Sequence, residues 1–268
     1  MSRRASRGEG RLEGRVAAVT GAGRGIGRAL ALALAAEGAR LVISSRTQGD
    51  LDELVDEIGR GRAVAVVADA LDRSQARSPV RAAVETFGRL DILVNNVGGR
   101  AGVGSDSPDA DPWSEHDNLF DRLLTLNLTS AWWTANAALP VMRAQGYGRI
   151  VNIGSGLSDH AGASIPYTAA KHGLVGLTRS LALAAGPYGI TVNCLCPGWT
   201  VTSAVDWDVV GTRTGVSPEE AKHKAESEIA LGRALDASEL GPVLVLLASG
   251  EGAGITGQVW HADGGWRL

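Results

Sequence analysis

Seven short runs rich in Val, Ile, Leu and Ala, at 16–20, 40–45, 63–68, 92–95, 148–153, 191–195 and 258–261, alternate with longer segments of helical character. Runs that are apolar at consecutive positions belong to strands covered on both faces, and strands separated by helices cross over and pair in parallel. The fold class expected is α/β, a doubly wound sheet of about seven parallel strands with helices on both faces. Helices are expected at 25–37, 50–59, 74–87, 113–144, 167–185, 218–231 and 237–248, the long fourth one breaking at its polar start. Two irregular stretches, 98–112 and 198–217, have the length and the glycine content of binding loops or lids. No repeat or linker divides the 268 residues, so residues 15–268 are read as a single domain and 1–14 as a flexible, arginine-rich arm.

Several classes of function are disfavoured by composition. The net charge of -3 supplies no basic field for nucleic acid. No apolar stretch approaches the roughly 18 residues that cross a bilayer, and no apolar core follows the basic N-terminus, so neither membrane insertion nor secretion is expected and the cytoplasm is the expected location. Cys194 and Cys196 are expected on opposite faces of their strand, neither paired nor binding metal, and His160, His172 and His223 have no partner at metal spacing.

The first strand runs directly into Thr20-Gly21-Ala22-Gly23-Arg24-Gly25-Ile26-Gly27, and an alanine- and leucine-rich helix begins there. A strand, a glycine turn and a helix N-terminus make an anion seat: backbone N–H groups and the positive end of the helix dipole converge, and missing β-carbons let a pyrophosphate approach. Farther along, Tyr167 and Lys171 stand four residues apart, on one face of a helix. An ammonium beside a phenol stabilises phenolate and lowers its pKa from about 10, so that the tyrosine can exchange a proton near neutral pH. Ser155 follows the fifth apolar run, and the C-terminal ends of strands in an open parallel sheet line the ligand crevice.

That glycine spacing, followed in order by Asn95-Asn96-Val97-Gly98, Asn127, Ser155, Tyr167-Thr168-Ala169-Ala170-Lys171 and the stretch from Asn193 to Gly198, is similar to the short-chain dehydrogenase/reductase (SDR) family over about residues 16–265. The resemblance implies a Rossmann-like domain, a nicotinamide cofactor and a homotetramer, with a homodimer as the alternative. It implies Tyr167 as general acid, Ser155 as the hydroxyl that polarises the carbonyl, Lys171 on the nicotinamide ribose and Asn127 in a proton relay. For the cofactor it implies Gly21, Arg24, Gly25, Ile26 and Gly27 at the turn, Asp69 and Ala70 at the adenine, and Asn96, Val97 and Gly98 beside the adenosine. Pro197, Gly198, Thr200 and Thr202 fall in a Pro-Gly-x-x-x-Thr stretch implied to bind the cofactor, Thr202 on the carboxamide, and Asp263-Gly264-Gly265 matches a terminal turn at a subunit contact. Val97 stands where the family usually has alanine, so a small local shift is expected.

An acidic residue at the end of the second strand generally marks NAD, because it binds the ribose 2′-OH. Here Ser45 holds that place, with Arg46 beside it and Arg24 inside the turn. Two guanidinium groups suit a 2′-phosphate, so NADP(H) is preferred over NAD(H), unless Arg46 points to solvent or pairs with Asp50 or Asp52. Trp113, directly after the first irregular stretch, and Trp199 and Trp207, on the second, are candidates for the wall of a pocket for a flat or ring-containing ketone, or else for loop packing or a subunit interface. The leading reading is an NADP(H)-dependent ketoreductase acting on a small ketone or keto-acyl substrate. The alternatives are an NAD-dependent dehydrogenase oxidising a hydroxy acid, steroid-like or sugar-like alcohol, and a non-catalytic dinucleotide sensor or scaffold.

Overall fold

Apolar runs with β-branched residues on both sides of the chain can be buried only between two helical layers, and they are. The computed structural model describes residues 10–99, 117–162, 164–202 and 205–268. In chain order its main elements are β1 (Val16–Thr20), α1 (Gly25–Ala36), β2 (Arg40–Ser45), α2 (Gln48–Ile58), β3 (Ala63–Val67), α3 (Arg73–Phe87), β4 (Ile92–Asn95), α4 (Asp117–Leu124) and α5 (Ser130–Gln145). There follow β5 (Gly148–Ile153), α6 (Ile165–Ala185), β6 (Ile190–Pro197), β7 (Thr200–Val201), α7 (Trp207–Thr214), α8 (Pro218–Ser227), β8 (Leu235–Asp236), α9 (Gly241–Ala248) and β9 (Val259–Ala262). Seven strands form one parallel sheet in the order β3-β2-β1-β4-β5-β6-β9. The order reverses at β1, between β2 and β4, which places the binding crevice at the C-terminal ends of those strands.

Alternate residues of each strand feed two separate cores. Ala17, Val19, Leu41 and Ile43 pack with Leu30 and Leu34 of α1, Leu51 and Leu54 of α2, and Leu244 and Leu247 of α9. Val16, Ala18, Val42, Leu93 and Ile150 point the other way, onto Val80 of α3, Ala135 and Met142 of α5, and Leu181 of α6. The sheet is fixed in register from both sides, because a slip of one residue would exchange the two cores.

Four expectations change. Residues 10–14 are not part of a loose arm: Leu12 is fully buried in the α1 core and its N–H donates to the Glu37 carbonyl at 2.8 Å, while residues 1–9 lie outside the described part. The helix expected over 113–144 is described only from Asp117, its polar start at 113–116 lying outside the described residues, and within the described part a π turn at Thr125–Thr129, with one extra residue per turn, brings Asn127 inward. The stretch 198–217 is not structureless, since β7 pairs with β8 and Asp206 caps α7 by accepting from Asp208 N and Val209 N. Finally, Cys194 and Cys196 share a face, as residues two apart on a strand must, and their Sγ atoms lie 3.7 Å apart beside Gly154 as free, buried thiols.

Candidate active site

The glycine turn owes its shape to contacts that leave no room for side chains. Gly21 and Gly25 have φ of +66° and +55°, the left-handed region that glycine enters without steric cost. Gly27 lies so close to the turn that a β-carbon would fall 2.1 Å from the Gly21 carbonyl oxygen and 2.4 Å from Asn96 Nδ2. Asn96 holds the turn from beneath: its Nδ2 donates to the carbonyls of Thr20 and Gly21 at 3.1 and 3.0 Å, and its N–H reaches Thr20 Oγ1 at 3.1 Å. Asn96 therefore shapes the cradle with its side chain, a role the motif alone did not specify. Gly27→Ala is expected to cost about 3 kcal/mol, read as a lower urea midpoint, because a backbone carbonyl cannot move aside as a flexible side chain can.

From this turn a cavity of about 1410 Å³ runs across the ends of the strands to Ser155, Tyr167 and Lys171. That exceeds the few hundred to 1,000 Å³ usual for one small ligand and leaves room for a dinucleotide with a substrate beside it. The cradle that β-carbons would fill, opening on the N-terminus of α1, fits a pyrophosphate. Gly21, Arg24, Gly25, Ile26, Gly27, Ser45, Arg46, Asp69, Ala70, Asn96, Val97, Gly98, Pro197, Gly198, Thr200 and Thr202 all line it. Thr202 packs beside Gly25 and Thr200 Oγ1 donates to the Gly198 carbonyl at 3.1 Å, while Asp69 Oδ1 accepts from Leu71 N at 3.0 Å. Arg24 and Arg46 are exposed at the cavity, and neither makes an ion pair among the described residues. Asp50 lines the same corner, beside Ser45 and Gly23.

At the other end of the cavity, three elements converge. Ser155 leaves β5 and caps a short 3-10 turn, its Oγ accepting from Leu157 N at 3.2 Å while its own N–H donates to Ser158 Oγ at 3.0 Å. Tyr167 stands in the first turn of α6 and Lys171 one turn later, with Nζ 5.6 Å from the Tyr167 ring centroid. Lys171 is buried and Nζ donates to the Ile153 carbonyl at 2.8 Å, which anchors it to the end of β5. Asn127, buried in the π turn, bonds Gly99 in both directions, accepting from its N–H at 2.7 Å and donating to its carbonyl at 3.1 Å. Gly98 lies between the two, where a β-carbon would be 2.8 Å from Asn127 Oδ1 and 3.1 Å from Lys171 Nζ. The structure thus brings together Asn127, Ser155, Tyr167 and Lys171. A hydroxyl, a phenol and an ammonium gathered at one end of a dinucleotide-sized cavity can hold a carbonyl oxygen and give it a proton.

The aromatic candidates separate. Trp199 lines the cavity, whereas Trp207 packs behind it, with ring centroids 5.3 Å apart, and takes no part in the lining. Trp113 lies outside the described residues. Sequence reasoning missed two groups. Trp266 and Arg267 line the cavity from the end of the chain, where no periodicity points to them, together with Glu228, which directly follows α8. Asn95, Asn152 and Thr178 form a buried polar ladder, Asn95 Nδ2 donating to Asn152 Oδ1 at 2.9 Å and Asn152 Nδ2 to Thr178 Oγ1 at 2.8 Å, which ties β4, β5 and α6 beneath the site. Asparagines inside otherwise apolar strand runs were its only signal. Among the described residues there is no cluster of three or more potential metal ligands and no helix long and apolar enough to cross a membrane.

A family model described as enoyl-(acyl carrier protein) reductase matches residues 21–267. The chain is 37% identical over 241 residues to a D-beta-hydroxybutyrate dehydrogenase of Cupriavidus necator, covering 87% of this chain and 90% of that protein. It is 36% identical over 233 residues to the short-chain reductase protein NovJ of Streptomyces niveus, covering 86% of each. Among solved structures, levodione reductase superposes with a TM-score of 0.86 at 32% identity, over 95% of this chain and 98% of that one.

Proposed function

The chain belongs to the short-chain dehydrogenase/reductase family, and from that premise we propose that it is an NADP(H)-dependent ketoreductase interconverting a ketone or keto-acyl group and a secondary alcohol. The observation that carries this reading is the meeting of Ser155, Tyr167 and Lys171 at one end of a cavity whose other end is the glycine cradle. A nicotinamide dinucleotide, when bound, supplies the hydride. Tyr167 donates the proton to the carbonyl oxygen as negative charge develops there, and Ser155 donates a hydrogen bond to the same oxygen. Lys171, held on the Ile153 carbonyl, sets its positive charge beside the Tyr167 ring and stabilises the charge left when the phenol gives up its proton. Asn127, bonded to Gly99 in both directions, fixes the Gly98–Gly99 backbone that faces Lys171 Nζ, the place from which it would join a proton relay. The reading is tested with purified protein, NADPH and a panel of keto-acyl thioesters, cyclic diketones and polycyclic ketones. Loss of reduced-nicotinamide absorbance with at least one of them is expected, and none with any would overturn it.

The preference for NADP(H) rests on Arg24 and Arg46, two exposed guanidinium groups at the cavity without a carboxylate partner among the described residues. Charge-assisted hydrogen bonds to a phosphate carry more energy than neutral ones. Arg24→Ala with Arg46→Ala is expected to raise KM for NADPH roughly ten- to hundredfold and to leave that for NADH nearly unchanged. Asp50 in the same corner favours the second reading, an NAD-dependent dehydrogenase of a hydroxy acid, steroid-like or sugar-like alcohol, since a carboxylate there repels a 2′-phosphate. Initial rates with the two cofactors separate the readings. We also propose a homotetramer in the cytoplasm, for which sedimentation should give about four times the 27.7 kDa chain mass.

A further inference from the structure

The end of the chain is built into the cavity beside Ser155. Trp266 is only 8% exposed, and one edge of its indole covers Gly156 so closely that a β-carbon there would fall 2.6 Å from both Cε3 and Cζ3. The other side of the indole is hydrogen-bonded, Nε1 donating to Glu228 Oε2 at 3.1 Å. The His160 ring lies 5.5 Å away, centroid to centroid. Arg267 binds the same carboxylate with two hydrogen bonds, Nε to Oε2 at 2.9 Å and Nη2 to Oε1 at 3.2 Å, and its guanidinium carbon sits 4.5 Å from the Trp266 ring. Arg267 hydrogen bonding holds the Glu228 carboxyl below the usual carboxylate range, with the Trp266 N–H adding to the effect.

The backbone makes the same connection. Ala230 N and Leu231 N donate to the carbonyls of Gly265 and Gly264 at 3.0 and 3.1 Å, and Arg267 N donates to the Glu228 carbonyl at 3.0 Å. Arg267 adopts φ of +52°, unfavourable for a side chain that carries a β-carbon, so the surrounding contacts must hold it there. Glu228 directly follows α8, which packs with α7 over the cavity. One tryptophan therefore touches the residue after Ser155 on one side and the end of the α7–α8 pair on the other.

We propose that Trp266 is a positioning and specificity-determining residue of the carbonyl pocket: it braces the turn that carries Ser155, limits the size of the group beside the reacting carbonyl, and through Glu228 ties α7 and α8 to that turn. The size selection rests on the ketoreductase reading, whereas the tie does not.

Two measurements on the full chain test it. Glu228→Ala is expected to speed amide hydrogen exchange in residues 207–227 and 155–158 about tenfold or more, with the central strands unchanged, as for a local opening. Unchanged exchange in both segments overturns the tie. In kinetics, Trp266→Ala is expected to raise kcat/KM for a bulky aryl ketone relative to a small aliphatic ketone about tenfold or more, chiefly through KM. Trp266→Phe keeps the wild-type ratio because a ring still covers Gly156, yet it speeds exchange in 207–227 because the N–H to Glu228 is gone. If Trp266→Ala fails to fold, Trp266→Leu removes the ring with less lost volume and is expected to shift the ratio the same way. An unchanged ratio in whichever of these two folds overturns the size selection. A wild type that reduces no ketone overturns the ketoreductase reading and the size selection with it, while exchange still decides the tie.

Discussion

Tyr167→Phe is expected to lower kcat about a thousandfold while leaving the Kd for NADPH within a few-fold of wild type. The substitution removes one oxygen from a half-buried ring, so packing at the start of α6 is retained and the proton donor is lost. General acid catalysis by a positioned side chain contributes roughly 10²- to 10⁴-fold, which sets the scale. Stopped-flow reduction, with cofactor binding followed by fluorescence, separates the two quantities. Full activity in the phenylalanine variant would remove Tyr167 from the chemistry, and loss of cofactor binding would make its role structural.

Gly98→Ala is expected to lower kcat about a hundredfold, although residue 98 bears no functional group. A β-carbon there enters a space 2.8 Å from Asn127 Oδ1 and 3.1 Å from Lys171 Nζ, so one of them must move. Asn127 is pinned by its bonds to Gly99 and by its Nδ2 donating to the Leu123 carbonyl at 3.0 Å, and Lys171 by the Ile153 carbonyl, so neither shifts freely. A displacement of the order of 1 Å near reacting groups costs about that factor. The thermal midpoint should fall only modestly, because the residues affected sit at the rim of the sheet and not in either hydrophobic core. A variant with wild-type kcat would show that Lys171 tolerates displacement and that its placement by Asn127 is unimportant.

The strands and most helices were legible because burial on both sides leaves a local trace: consecutive β-branched and aliphatic residues for strands, and glycine where the chain must turn sharply. Ser155, Tyr167 and Lys171 stood out because their order along the chain resembles the family's, with Tyr167 and Lys171 one helical turn apart and Ser155 just after an apolar strand. The π turn at Thr125–Thr129 was not, because a single inserted residue leaves the apolar pattern of the flanking helices almost intact. The relation of Cys194 to Cys196 was misjudged although it follows from strand geometry alone.

By itself the sequence determined the α/β alternation, the glycine turn, the one-turn spacing of Tyr167 and Lys171, and the lack of an acidic residue at Ser45, all of which depend on neighbours within one or two turns of chain. Only the tertiary structure decided that Trp199 faces the cavity while Trp207 lies behind it, that Asp50 shares the corner with Arg24 and Arg46, and that Trp266 reaches Gly156 and Glu228. The Trp266 contacts join residues tens to more than a hundred positions apart. They are set by the way the parallel crossovers bring the strand ends together, which no local pattern of side chains encodes.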